Sequence, residues 1–592
     1  MPARRLSIAL STFLVLIAIV RICLSYSHTA QAFDEPCHVA AGIEFLDKKT
    51  YSLDPVHPPL SRIAIALPLY LAGERFPRLP RNDPQSDNYN VVGNHILYDS
   101  GHQPWNLTLA RIGVLPFFIF LAVIVYLWTI RIAGEASAIL AVFFCTTIPT
   151  ILAFSSIAYT DIVAASTQLA ALFAFSLCLE KPGRARTLWF ALALGLALLS
   201  KLTTVLFLPA AGFCMFLVWI WKTTRAQRGS FRHHALAWLG AVAVALIILW
   251  GGYRFSFKSV QEVTGLSPAA MPTFQHFPAV ARPILTRALA ENFRLPAPEL
   301  LNGISHAWLL NNIGAPSYLF GKLKVGGWWY FYLCAIALKL PIPFLILFGI
   351  AVVSLLKHNP AFPVLLPLAA LLGVLLITCH VNYQVGLRHV LICLPLMAII
   401  TAAGLKTWMD AVRAEQTHSP APRNETTPEQ LNSGRSRHPS WRSATSLLLL
   451  ILLIWQLAES VRGQKNFLAY FNQSAGKDPS RALSLGCDFD CGQDLYALRR
   501  ELQSRHIVRF TLAVWTSADV NRSGLPPYDL PDADGKAQGW IAVSSRAYRL
   551  GNFLHQSLPP HSFDWLESYK PVADVGETIK LYYVDPDTQA GH

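Results

Sequence analysis

The chain has 592 residues, of which 53% are hydrophobic and only 14% charged, and its formal net charge is +14. A soluble protein of this size carries about 25% charged residues, so the composition excludes an ordinary soluble protein and marks a polytopic membrane protein. Lys and Arg sit mostly in short segments between apolar runs. That is how membrane proteins fix their orientation, so the charge does not point to nucleic acid.

A spanning helix needs about 20 mostly apolar residues. The apolar runs predict eleven spans, near 6–25, 110–130, 136–156, 160–179, 187–202, 204–221, 235–253, 340–357, 362–380, 390–406 and 444–460. The fifth and sixth are short and predict a hairpin broken near Pro209. The run 326–340 is rich in Trp and Tyr and predicts an interfacial approach to the eighth span. Basic residues set the orientation: Arg4 and Arg5, then Lys181, Arg184 and Arg186, then Lys222, Arg225, Arg228 and Arg232, and finally Arg413, Arg423, Arg435, Arg437 and Arg442. All fall on one side, which is expected to be cytoplasmic. The amino terminus is then inside and the carboxyl-terminal tail outside. A rival reading of the start is a cleavable signal peptide ending at Ala30-Gln31-Ala32.

This count defines a transmembrane core over 1–460, with outer loops at 26–109 and 254–325. A flexible cytoplasmic linker is expected over 407–443. The run from Pro58 to Leu71 predicts a segment lying along the membrane surface. The tail, 461–592, predicts a small extracytoplasmic α/β domain, with strands at Ile507–Val514, Trp540–Ser544 and Thr578–Val584 and a helix at Asp494–Gln503. Most of the ten cysteines lie in apolar runs, as buried thiols do. Cys487 and Cys491 form the one close pair, for which a disulfide and two free thiols are both open readings.

The few charges near the ends of the spans gather at the outer face: Asp34, Glu35, Asp161, Lys201 and Arg388. Charges at the hydrocarbon boundary are expensive and mark substrate paths or active sites. Carboxylates facing cations suggest a reaction with an anionic leaving group. In Phe33-Asp34-Glu35-Pro36-Cys37-His38, one carboxylate can take a proton from an acceptor hydroxyl while the other orients it or binds a cation. The blander reading is a solvated helix cap. His57 could bind phosphate or a metal, or be structural. Asp161 opens the fourth span, where an acid also suits the helix dipole. Lys201 could clamp phosphate or simply snorkel, and Arg388 offers a forked donor set suited to phosphate. Asp488-Phe489-Asp490 is a weak D-x-D signal for metal, and no metal site is assigned. No P-loop, dinucleotide fingerprint or nucleophile elbow occurs. Because nucleotide-activated donors are cytoplasmic, an outward-facing transferase needs a donor carried through the bilayer. A polyprenyl-phosphate sugar meets that need.

Several stretches resemble bacterial GT-C glycosyltransferases of the protein O-mannosyltransferase and aminoarabinose transferase group. They are Phe33 to Gly42, Leu53 to Leu60 (with His57-Pro58-Pro59), Gly326-Gly327-Trp328-Trp329-Tyr330, Lys339-Leu340-Pro341, Gly386-Leu387-Arg388-His389, Tyr470-Phe471-Asn472, Asp490 to Leu495, and Pro571 to Gly576. The resemblance covers nearly the whole chain. It implies an all-α GT-C membrane core, a bacterial inner-membrane location, a polyprenyl-phosphate sugar donor and inversion at the anomeric carbon. The family's acidic pair maps onto Asp34 and Glu35, and its phosphate-binding cations map onto Lys201 and Arg388. The tail motif usually reads Asp-Trp-Gly-Gln-Asp, but Cys491 stands in place of that Trp, which puts a stacking role there in doubt.

The expectation is therefore an all-helical membrane glycosyltransferase with a small outer α/β domain. Asp34 is the expected base and Glu35 the second acid. Lys201, Arg388 and His57 contact the donor, supported by Asp161, His38, Trp328 and Trp329. The two tryptophans could stack on sugar, line a lipid entrance or anchor at the interface. A divalent cation is an open option, and the acceptor (protein, lipid or glycan) is unspecified. The rivals are a transporter or flippase of a lipid-linked anion, which would more often show repeats and midplane charges, and a non-catalytic assembly subunit.

Overall fold

The computed structural model describes residues 2–79, 88–223, 231–264, 283, 287, 291, 293–417, 441–483, 486–554 and 556–585. Most of the expected linker and much of the loop 254–325 lie outside the described residues. Each expected span falls on a helix or a bent helix pair. Pro2–Ser25, Gln103–Ala133, Asp161–Glu180, Thr204–Lys222, Ala235–Gly252 and Thr445–Lys465 are long and apolar enough to cross a membrane. Two further pairs bend at a break: Glu135–Thr147 with Pro149–Ser155, by 65°, and Phe331–Lys339 with Ile342–His358, by 119°. By length and composition, the described residues thus hold six crossing helices, or eight if each bent pair counts once.

Of the three expected spans outside these eight, the one on Cys393–Thr417 is long enough but not apolar enough to count, and the other two are too short. Arg184–Leu198 has 15 residues and Phe362–Thr378 has 17. At about 1.5 Å rise per residue they fall short of a hydrocarbon layer about 30 Å thick. The bends fall at Ile148-Pro149 and Leu340-Pro341, where proline removes a backbone donor and pushes the preceding residue out of helical geometry.

Arg131 pairs with Glu180, and Lys222 donates to the carbonyls of Asn359 and Pro360. The helix ends carrying these cations therefore gather on one side. The opposite ends carry Asp34, Asp161, Lys201 and Arg388. There the first loop folds into helices Glu35–Ile43, Pro59–Leu71 and Tyr89–Tyr98. Helix Pro59–Leu71 buries Ser61, Arg62, Ile65, Ala66 and Leu69 and exposes Leu67 and Leu71. Its turn is tied to the fifth predicted span, because Leu60 N–H donates to Leu199 O and Ser61 Oγ to Ser200 O. Gly93 packs so tightly on the Pro36 carbonyl that a Cβ there has no room.

The tail holds a five-stranded mixed sheet. Phe510–Ala513 pairs in parallel with Gly539–Ser544, which pairs antiparallel with Ile579–Val584, and the short strands Tyr528–Asp529 and Ala573–Val575 form the edges. Leu495, Leu498 and Leu502 recur on one face of helix Leu495–Ser504 and pack with Leu512, Val514, Ala542 and Leu581. Alternate residues Ala513, Ile541, Val543 and Tyr582 face the other layer, with Phe553 and Phe563. The expected helix and three strands are found within a few residues of their predicted bounds, and the two edge strands were not expected.

The tail is also fastened to the first loop. Ala30 N–H donates to Gln493 O (2.8 Å), Phe33 N–H to Cys491 O (2.9 Å) and Ser517 Oγ to Phe33 O (2.5 Å).

Candidate active site

Asp34 precedes helix Glu35–Ile43, but its side chain does not cap that helix. Its backbone N–H donates to Tyr159 Oη (2.8 Å), and its carboxylate turns to Arg388 (2.5 Å). Arg388 comes from a tight turn after Gly386, whose φ is 97°. That φ favours glycine, and the Asp488 carboxylate fills the space a Cβ would need while accepting Leu387 N–H (2.8 and 2.9 Å). Asp488 thereby sets the turn that presents Arg388. The guanidinium also lies 5.2 Å from the Tyr159 ring centre.

Burial pushes the Asp34 pKa up, but the Arg388 charge, with His38 and the Arg388 hydrogen bond, outweighs it and holds the carboxyl below its usual value. Burial works against the charge on Arg388, yet Asp34 and Asp161 keep its pKa raised. The pair is therefore ionised at neutral pH.

Glu35 is placed differently. It is fully buried, and Arg111 Nε and Nη2 bind its two oxygens at 2.8 Å each. It also accepts N–H groups from Ala32 (2.7 Å) and Ala158 (2.8 Å). Its acceptor sites are filled by the protein, and it does not line the cavity described below.

Asp54 Oδ2 meets His57 Nδ1 at 2.8 Å, and the His38 and His57 rings lie edge to face at 4.8 Å. Burial, helped by His57, pushes His38 down to about 3, so it is neutral. Burial disfavours the Asp54 charge, but His57 and Arg62 hold its carboxyl well below the ordinary range. Ligand atoms of Cys37, His38 and Asp54 lie within 4.8 Å of one another, a donor set that a divalent ion such as zinc accepts. The D-x-D acids are committed elsewhere: Asp488 to Leu387 N–H, and Asp490 to the N–H groups of Gly492 and Arg546.

Lys201 Nζ forms a buried ion pair with Asp161. His389 is lowered first by burial and then by the charges of Lys201 and Arg388, so both cations act on one imidazole. Lys201 and Arg388 are thus brought together, each matched by an acid. Trp328 and the exposed Trp329 stand apart, lining a neighbouring cavity of about 480 Å³ with Lys324, Asn382 and Gln384.

A cavity of about 560 Å³ opens over Asp34 and Arg388, with Tyr383 and Val385 on the core side and Trp515, Arg546 and Asn552 on the tail side. Cys487 and Cys491 are disulfide-bonded, and Tyr159 Oη touches both sulfurs (3.1 and 3.2 Å). Sequence reasoning missed Tyr159, Arg111, Asp54, Trp515 and Arg546. Tyr159 and Asp54 lay within or beside the quoted stretches, and Arg111, within an apolar run, was the signal for a buried partner. Nothing local flagged Trp515 or Arg546, because their relevance comes from how the tail docks.

Residues 106–251, a segment short of half the chain, match the family model described as dolichyl-phosphate-mannose-protein mannosyltransferase. No curated protein matches the sequence. Among solved structures, the chain is similar to ArnT from Cupriavidus metallidurans bound to undecaprenyl phosphate, at 11% identity over 96% of this chain and 97% of that one, with a TM-score of 0.47. It is also similar to the oligosaccharyltransferase of Archaeoglobus fulgidus tethered to an acceptor peptide, at 11% identity over 95% and 72%, with a TM-score of 0.45.

Proposed function

We propose that this multi-pass membrane protein is a glycosyltransferase that moves a sugar from a polyprenyl-phosphate donor to an acceptor outside the cytoplasm, with inversion. The observation that carries the proposal is the ionised Asp34 carboxylate on the floor of the 560 Å³ cavity, bonded to Arg388. The mannosyltransferase match over 106–251 and the first-loop motif support the same reading.

In this scheme Asp34 takes the proton of an acceptor hydroxyl as its oxygen attacks the anomeric carbon. The bond from that carbon to the phosphate oxygen breaks, and polyprenyl phosphate leaves with the electron pair. Arg388 and Lys201 stabilise the phosphate charge as it develops, and His57 borders the same group. Asp161 holds Lys201, and His38 packs neutral beside Asp34. Glu35 fastens the loop through Arg111 rather than touching the acceptor, a role that replaces the second acid expected from sequence. Trp328 and Trp329 line the lipid side. The site faces away from the cytoplasm of a bacterial inner membrane, with the amino terminus inside. A bound divalent cation at Cys37, His38 and Asp54 would add positive charge beside the loop.

Lipid analysis of cells lacking the protein tests this reading. A polyprenyl-phosphate sugar should accumulate and disappear on complementation with wild type but not with Asp34→Asn. An unchanged lipid-linked sugar pool in the deletion would rule the donor class out.

A further inference from the structure

The cations of the core near the cavity are matched by acids: Arg388 by Asp34 and Lys201 by Asp161. Arg546 is not. Among the described residues its guanidinium makes no ion pair, and its buried Nε has no hydrogen-bond partner. Asp490 accepts the Arg546 backbone N–H (2.9 Å) and not its guanidinium. Burial lowers Arg546 to about 10, against the pull of Asp490 and Asp34, so the charge persists at neutral pH.

Its position is fixed by stacking. Arg546 Cζ lies 3.7 Å from the Trp515 ring centre, and the Phe33 ring lies parallel to Trp515 at 3.9 Å. Two groups this close to one ring centre cannot share a face, so Trp515 is held between Phe33, the residue before Asp34, and Arg546. The Trp515 backbone N–H donates to Ser544 Oγ (3.1 Å). Trp515, Arg546 and Asp34 all line the same cavity. An unmatched guanidinium, rigidified by an aromatic face at a cavity wall, is built to receive a planar or tetrahedral oxyanion.

We propose that Trp515 and Arg546 form an oxyanion subsite supplied by the tail, which takes the phosphate or carboxylate of a substrate entering the Asp34 cavity. The subsite stands on the unmatched cation; only the identity of that substrate rests on the transferase reading. The oxyanion has two sources, the donor phosphate or an acidic group on the acceptor.

The test uses the full chain in lipid nanodiscs, with undecaprenyl phosphate and glucuronate as probes. Arg546→Gln should weaken binding of at least one probe by about 10-fold or more, the scale of one lost charge-assisted hydrogen bond. Loss of undecaprenyl phosphate marks the donor phosphate, and loss of glucuronate marks a carboxylate on the acceptor. Arg546→Met keeps an unbranched apolar side chain beside Trp515 and removes the guanidinium with its charge and donors, and it serves if the Gln variant folds poorly. Wild-type binding of both probes by a folded charge-removed variant overturns the subsite. If no glycosyl transfer is found yet anion binding still depends on Arg546, the transferase reading fails and the subsite stands.

Discussion

Asp34 and Glu35 are neighbours in sequence and each meets an arginine, yet the two pairs sit in regions of opposite character. The Glu35 side chain is 0% exposed and its partner Arg111 1%, at the junction of the first loop with helix Gln103–Ala133. The Asp34 side chain is 25% exposed and Arg388 16%, at the edge of a cavity. Glu35 gathers two backbone N–H groups as well as the fork of Arg111, so it is fully satisfied. Among the described residues the Asp34 carboxylate has one hydrogen-bond partner, Arg388, and an open side. Similar ion pairs can therefore fasten a loop or present a reactive carboxylate, and solvent access decides which.

Breaking each pair in turn sharpens this contrast. Glu35→Gln strands Arg111 as an uncompensated buried charge, which typically costs about 3–5 kcal/mol. A large fall in thermal midpoint, or loss of folded protein from the membrane, is expected. Adding Arg111→Met should restore much of it, since an apolar pair of similar volume often matches a buried ion pair. A Glu35→Gln protein as stable as wild type but inactive would instead return Glu35 to the chemistry. Asp34→Asn should do the reverse. Its thermal midpoint should stay near wild type, while turnover falls about 10²–10⁴-fold through loss of the proposed base. Wild-type turnover in this variant would remove Asp34 from that role.

Arg388→Lys probes the open pair more gently. The charge stays, but the planar fork is lost. Binding of polyprenyl phosphate to the purified variant should weaken by about 10-fold, or about 1.4 kcal/mol. Unchanged affinity would show that point charge suffices and that the fork serves Asp34 alone.

The helical core, the gathering of charge at one end of the helices and the tail's strands were legible in the sequence because hydropathy and period-two alternation are local signals. The span count was less so, since Arg184–Leu198 and Phe362–Thr378 carry the apolar composition of a span without its length. Asp34 and Arg388 are 354 residues apart yet bonded. Their place at the same end of the helices could be read from topology, whereas their pairing could not. Glu35 was assigned chemistry because the acidic pair reads as a unit. Its separation from Asp34 needed the position of Arg111 across the fold. Trp515 and Arg546 reach the cavity only through tail-to-loop hydrogen bonds such as Phe33 N–H to Cys491 O, and nothing in their own neighbourhood announces that.

The smallest expected effect concerns pH and separates two roles of Arg388. Burial alone raises the Asp34 pKa, and Arg388, with His38, turns the net shift downward from 3.8. A carboxyl depressed in the folded state contributes stability above its unfolded pKa and loses it as pH falls through the folded one. The ionised, proton-accepting form is thus present throughout the neutral and mildly acidic range, and Asp34 should give no acid limb in kcat/KM above about pH 4. Arg388→Gln removes the largest opposing cause and leaves burial, so the residual activity of this variant should gain an acid limb at higher pH than wild type. His38 cannot supply such a limb in the wild-type protein, because burial already keeps it neutral down to about 3. The measurement is kcat/KM for transfer between pH 4 and 8 in both proteins at fixed ionic strength. Superimposable profiles would mean that Arg388 does not tune Asp34, leaving it a phosphate ligand only.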